Sequence, residues 1–102
     1  MKVFISMPMR GKSVEEIVKT RSQIFEKVKD HFPESKLELL DQIIEDDCPF
    51  KDPDAGIWYL GKSIEIMAEA DVVVFAPNWH LASGCRAEKF IAENYGKYCI
   101  FK

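Results

Sequence analysis

The residue types that can do chemistry gather in two short stretches of this 102-residue chain. The first is Ser6-Met7-Pro8-Met9-Arg10-Gly11-Lys12 and the second runs from Trp79 to Glu88. Gly11 and Gly84 permit close backbone approach, and Arg10 offers a fork of donors to a phosphate. Ser83 reads as the N-cap of a helix whose first N–H groups point at an anion. Glu88, in that same helix, stands where a reacting carboxylate would stand; the alternative is a solvated charge at the end of the helix that favours it. Neither loop is a dinucleotide or P-loop fingerprint, so the glycines either cradle a phosphate or only shape turns. His80 reads as a surface residue. Cys85 reads as a packing residue, because no histidine is placed to activate its thiol. Trp58, Tyr59 and Trp79 either wall a slot for a planar base or form an oligomer surface.

These groups need a scaffold, and the pattern around them supplies one. Val72 to Ala76 is an unbroken apolar run rich in valine, the signature of a strand buried on both faces, and Pro77-Asn78 ends it. Ala87, Glu88, Phe90, Ile91 and Tyr95 follow at helical spacing, with Gly96 as the stop. Upstream, Lys2 to Met7 reads as a strand. Ser13 and Glu16 form a capping box, and Val14, Ile17, Val18, Ile24, Phe25 and Val28 mark one helical face, with Lys, Glu and Arg on the other. Leu37 to Leu40 is a shorter second strand. The polar connection from Asp41 to Asp54 is longer than usual, which suggests a functional loop or a short extra helix. Asp52 or Asp54 then caps a helix reaching about Glu69, with Ile57, Leu60, Ile64 and Met67 inward, and Tyr98 to Phe101 closes as the fourth strand. The alternation predicts one α/β domain over 1–102. It is a Rossmann-like or flavodoxin-like doubly wound parallel sheet in the order 2-1-3-4, with helices on both faces. That order sets the ends of strands 1 and 3 side by side, the usual ligand crevice, and its floor presents Ser6, Arg10, Gly11, Ser83, Gly84 and Glu88.

Composition narrows the function classes. The net charge is −3 and the basic residues are scattered, so nucleic acid is not an expected partner. Three cysteines without metal-type spacing read as reduced thiols in a cytoplasmic protein, and neither a metal nor a cofactor is expected. No apolar run approaches membrane-spanning length and no leader peptide is legible. The large aromatic residues exceed what four strands readily bury, so a homodimer or higher homo-oligomer is expected.

Val3 to Gly11, Trp58 to Ser63, Ala70 to Val73 and Trp79 to Glu88 together resemble a small bacterial and phage domain family of unknown function. That family is grouped with the nucleoside 2-deoxyribosyltransferases. More distantly the chain is similar to the 2′-deoxynucleoside 5′-phosphate N-hydrolases, which share the Arg-Gly pair of the first loop and the helix-borne glutamate. The resemblance implies that Glu88 attacks C1′ of a deoxyribose to give a covalent glycosyl-enzyme, resolved by water or by an incoming base. It implies that Ser83 and Gly84 receive the 5′ end and that Arg10-Gly11 face them. The chain departs from the better-known enzymes in carrying Ser63 where they have an aspartate and Phe4 where a tyrosine is usual. It also ends at Lys102, where those enzymes often complete the site with a neighbouring subunit's C-terminal segment. Asp41, Glu45, Asp46 or Asp47 would replace the missing acid if the long loop folds over the crevice.

The expected function is cleavage or exchange of the N-glycosidic bond of a (deoxy)nucleoside or its 5′-phosphate. Glu88 would be the catalytic residue, with Ser6, Arg10, Gly11, Ser63, Trp79, Ser83 and Gly84 binding the substrate. The competing readings are a nucleotide-binding or sensing module without turnover, and an oligomeric scaffold.

Overall fold

A computed structural model describes all residues, 1–102. The elements run β1 (Lys2–Ser6), α1 (Val14–Lys29), β2 (Glu38–Leu39), α2 (Asp54–Met67), β3 (Val72–Phe75), a 3-10 turn (Trp79–Leu81), α3 (Ser83–Asn94) and β4 (Tyr98–Phe101). The four strands form one parallel sheet in the order β2-β1-β3-β4. This is the α/β doubly wound arrangement that the alternation of patterns predicts.

Strand alternation divides the core between the two faces of the sheet. Val3, Ile5, Val72, Val74 and Ile100 meet Ile24 and Val28 of α1 on one face. Phe4, Val73 and Phe75 meet Met67 near the end of α2 and Ala92 of α3 on the other. Phe4 and Phe75 have no exposed surface, and full burial of such a side chain is worth ~1.5–3 kcal/mol. The β1–β3 ladder pairs Val3 with Val72 through to Ser6 with Phe75. It holds Ser6, a small polar residue at the end of a buried strand, in a fixed register on the α2–α3 face.

Helix α1 starts as its sequence predicts: the Ser13 hydroxyl accepts from the Glu16 N–H and the Glu16 carboxylate accepts from the Ser13 N–H. It is thereby anchored at the end of the sheet where the two chemical loops lie.

Several details differ from the sequence reading. The second strand is only two residues long, and the Asp41–Pro53 connection forms no extra helix. Beyond the end of β2, Gln42 takes over the ladder. Its Oε1 accepts from the Ile5 N–H at 2.8 Å and its Nε2 donates to the Ile5 carbonyl at 2.9 Å. Helix α2 is capped by Pro53, without a side-chain cap bond, rather than by Asp52 or Asp54. Ile57 lies outward on α2 while Ser63 and Met67 are buried. Ser63 and Met67 are four residues apart, so they stack on one face, and Ile57 is displaced from that face by the 100° step of the helix. On α3 the buried stripe is Cys85, Glu88 and Ala92, and Phe90 and Tyr95 are exposed. Val14 and Val18 are also exposed on α1, and Arg21 takes an inward place. No helix is long and apolar enough to cross a membrane.

Candidate active site

A cavity of about 410 Å³ opens beyond the carboxyl ends of β1 and β3. Its walls are Met7 to Arg10, Ile44 of the long connection, one side of α2 including Tyr59 and Ser63, and Leu81 to Cys85. Glu88 reaches it from the second turn of α3 and is the only carboxylate that lines it.

Local sequence explains how Glu88 comes to point inward. Cys85, Glu88 and Ala92 lie at i, i+3 and i+7, one face of α3, and the two small neighbours let the helix sit close to the sheet. Phe4 and Ser6 share a strand face, so Ser6 looks up at the same helix. The Ser6 hydroxyl donates to Glu88 Oε1 at 2.7 Å, within a buried setting. That is an ordinary distance for a hydroxyl donor.

Glu88 is only 7% exposed. Burial pushes its carboxyl up to about 7, against the Ser6 hydrogen bond and the positive charge of Arg21, which both pull it down. Its charge state is therefore sensitive to small changes around the site near neutral pH. A carboxylate balanced in this way, within a cleft, is the kind of perturbed group that functional sites concentrate. Burial also raises the Cys85 thiol, and the nearby Glu88 charge adds to the effect. Cys85 thus stays a thiol, as a packing residue would.

The start of α3 has the N–H groups for an anion but not the expected cap. Ala82 is the N-cap residue and makes no side-chain cap bond. Ser83 is the first helical residue and accepts at its hydroxyl from Arg86 Nη2 at 3.1 Å. The extended conformation that an N-cap requires falls on Ala82, because the 3-10 turn just before it ends at Leu81. Ser83, Gly84 and Cys85 all line the cavity, and the first N–H groups of any helix have no partner within it.

The facing loop is a turn closed by Lys12 N–H to the Met9 carbonyl at 3.1 Å. Gly11 sits at its third position with φ of +78°, a left-handed conformation that glycine adopts without strain. Arg10 lines the cavity and Gly11 does not, so Gly11 shapes the turn that presents Arg10.

Of the other residues singled out in the sequence, Ser63 lines the cavity and is buried. Trp79 does not line it. Its indole packs on Phe75 and Phe101, with ring centroids at 5.8 and 5.5 Å, at the β4 side of the sheet. The left-handed turn at Asn78 leads directly into the 3-10 turn and carries the indole away from the crevice. Tyr59 lines the cavity but Trp58 does not, so no three-ring slot forms. His80 is exposed, as expected. None of Asp41, Glu45, Asp46 or Asp47 lines the cavity, and Asp46 is held instead by Lys62 at 3.3 Å.

Two further residues, Gln42 and Arg21, bear on the site. Gln42 fixes the backbone of Ile5 next to Ser6. Arg21, counted by residue type among the outward charges of α1, is 5% exposed. The signal was its position: 17, 21, 24 and 28 form one helical stripe. A second cavity, about 480 Å³, lies between α2 and α3. It is lined by apolar residues, and Lys97 there is spent on the carbonyls of Ala68 and Ala70. No group of three or more histidine, cysteine or acidic side chains is arranged to hold a metal ion.

Comparison with protein-family models, with curated proteins and with solved structures finds no match to this chain.

Proposed function

We propose that the protein cleaves or exchanges the N-glycosidic bond of a (deoxy)nucleoside or its 5′-phosphate. The observation that carries this reading is Glu88: the only carboxylate lining the cavity, buried, and hydrogen-bonded by Ser6. The ionised carboxylate attacks C1′, the new bond to Oε forms, and the C1′–N bond breaks with its electron pair leaving on the base. Water then adds at C1′ and releases Glu88, or a second base does so in exchange. Two displacements at one carbon retain its configuration. Arg10 and the N–H groups of Ser83 and Gly84 supply donors suited to a 5′-phosphate.

No second carboxyl group lines the cavity, and in this reading the leaving base takes its proton from water. General acid catalysis contributes about 10²–10⁴-fold, and turnover is correspondingly slow. That same feature favours a second reading, a nucleotide-binding module without turnover. In either case we infer a cytoplasmic protein acting as a homodimer, the latter from exposed Ile57, Leu81, Phe90 and Tyr95.

The test is a panel of nucleosides and their 5′-phosphates, followed by chromatography for free base. Base release from at least one deoxynucleoside or its phosphate is expected. Thermal stabilisation by a ligand without base release would establish the binding module instead, and neither effect would leave the scaffold.

A further inference from the structure

Ser6 does not line the cavity, although Met7 and Pro8 beside it do. It is therefore not the substrate-binding residue that the sequence suggests. Strand β1 turns its side chain to α3, and only 1% of the residue is exposed. Its backbone is held from several sides. The Ser6 carbonyl accepts from the Ala76 N–H at 2.9 Å, and the residue pairs with Phe75 of β3. One step back along the strand, the Gln42 amide clasps Ile5. From this fixed place the hydroxyl gives its single proton to Glu88 Oε1 at 2.7 Å. Glu88 Oε2 makes no hydrogen bond and no ion pair. Arg21 Nε is the only fully buried side-chain nitrogen or oxygen without a partner, so Oε2 is not sealed off. It opens to the cavity that Glu88 lines. The two oxygens of one carboxyl thus differ: one is tied to the sheet, the other is free for a ligand.

We propose that Ser6 is a positioning residue: its hydroxyl, fixed by β1, ties down Oε1 of Glu88 and leaves Oε2 as the oxygen that attacks C1′. The role rests on the reading of Glu88 as nucleophile. Attack forms the C1′–Oε2 bond and sends the C1′–N electron pair to the base. Oε1 becomes the carbonyl oxygen of the glycosyl ester and still accepts from Ser6. When water adds at C1′ and gives up a proton to the solvent, the C1′–Oε2 pair returns to the carboxylate. The same donor meets that returning charge without reorganising. The hydroxyl also fixes the aim of the side chain, and a misplacement of about 1 Å can cost ~10²-fold in rate. The charge balance of the carboxyl agrees, since the Ser6 bond favours the ionised form against burial. The titratable and charged groups around Glu88 are Cys85 on its own helix, Arg10 and Tyr59 in the cavity walls, and Arg21 of α1. On α3, Lys89 is engaged by Glu93 and Arg86 by the His80 carbonyl and the Ser83 hydroxyl. Only Ser6 is hydrogen-bonded to the Glu88 carboxyl.

The experiment compares wild type, Ser6→Ala and Ser6→Cys by kcat, KM and pH profile of base release, and by carbon-13 NMR titration of the Glu88 carboxyl. Alanine removes the donor without adding volume, and cysteine keeps nearly the same shape with a much weaker donor. In both variants kcat should fall about 10²-fold with KM little changed. The Glu88 midpoint should rise from about 7, and the acid limb of the rate profile should follow it. The direction is diagnostic. A purely structural loss would loosen the packing, admit water beside Glu88 and lower the midpoint towards that of an ordinary carboxyl. A wild-type kcat in Ser6→Ala, a loss carried by KM alone, or a midpoint that falls or stays overturns the proposal. If Ser6→Ala does not fold, Ser6→Cys decides alone. If the wild type itself releases no base, the glycosidase reading fails together with its attack on C1′, and the NMR midpoint alone judges the hold of Ser6 on Glu88.

Discussion

Replacing Glu88 by glutamine should make the protein more stable, and only above a definite pH. In the folded protein its carboxyl is raised from an ordinary 4.5 to about 7. Between those values the folded state holds a proton that the unfolded chain has released, so stability falls as pH rises through that interval. The interval is about two and a half pH units, and at about 1.36 kcal/mol per unit the folded state bears ~3 kcal/mol above pH 7. Below pH 4.5 both states are protonated and nothing is lost. Glutamine resembles the protonated acid in shape and still accepts from Ser6, so Glu88→Gln should match the wild type near pH 4.5. Near pH 8 it should exceed the wild type by ~3 kcal/mol, which for a domain of this size means on the order of 10–20 °C in melting temperature. Thermal unfolding followed by circular dichroism at both pH values measures the difference directly. Equal stabilisation at both pH values, or none at either, refutes the raised carboxyl and with it the balance ascribed to Glu88.

The other expectations follow from particular contacts. Arg10→Ala should weaken binding of nucleoside 5′-phosphates far more than of the matching nucleosides, a contrast that calorimetry measures. Gln42→Ala leaves the buried N–H and carbonyl of Ile5 without partners. At ~1–3 kcal/mol per unsatisfied group, it should cost about 2–6 kcal/mol in urea denaturation. Light scattering should show a homodimer at high micromolar concentration, and a monomer there would remove the proposed assembly.

Much of the scaffold could be read from residue order alone. The Val72–Phe75 run is apolar at every position because both its faces are covered, and the strand order followed from right-handed crossovers between parallel strands. Ser13 and Glu16 announced the start of α1 because a capping box is purely local. What escaped was set by tertiary context. Gln42 looked like one polar loop residue among several, and only the early end of β2 gives its amide a ladder to complete. Arg21 carries a charge that points to the outer face by residue type, while its position on the 17-21-24-28 stripe turns it inward. Trp79 was drawn towards the site by its neighbours in sequence, whereas the turn at Asn78 sends it to Phe75 and Phe101. Ser83 has the residue type of a cap, but the preceding 3-10 turn gives that place to Ala82. The meeting of Ser6 and Glu88 was within reach, since strand order and alternation put both at one switch point. Its 2.7 Å bond and the depth of burial required the packed structure.

The most direct test of the account compares wild type and Glu88→Gln for base release and for ligand binding, side by side, on the same nucleosides and 5′-phosphates. Glutamine keeps the side chain's shape but removes the charge that attacks C1′. Base release should therefore vanish, while binding persists or tightens as a negative charge beside the phosphate is lost. A Glu88→Gln protein that releases base at the wild-type rate would contradict the assignment of Glu88 as the nucleophile.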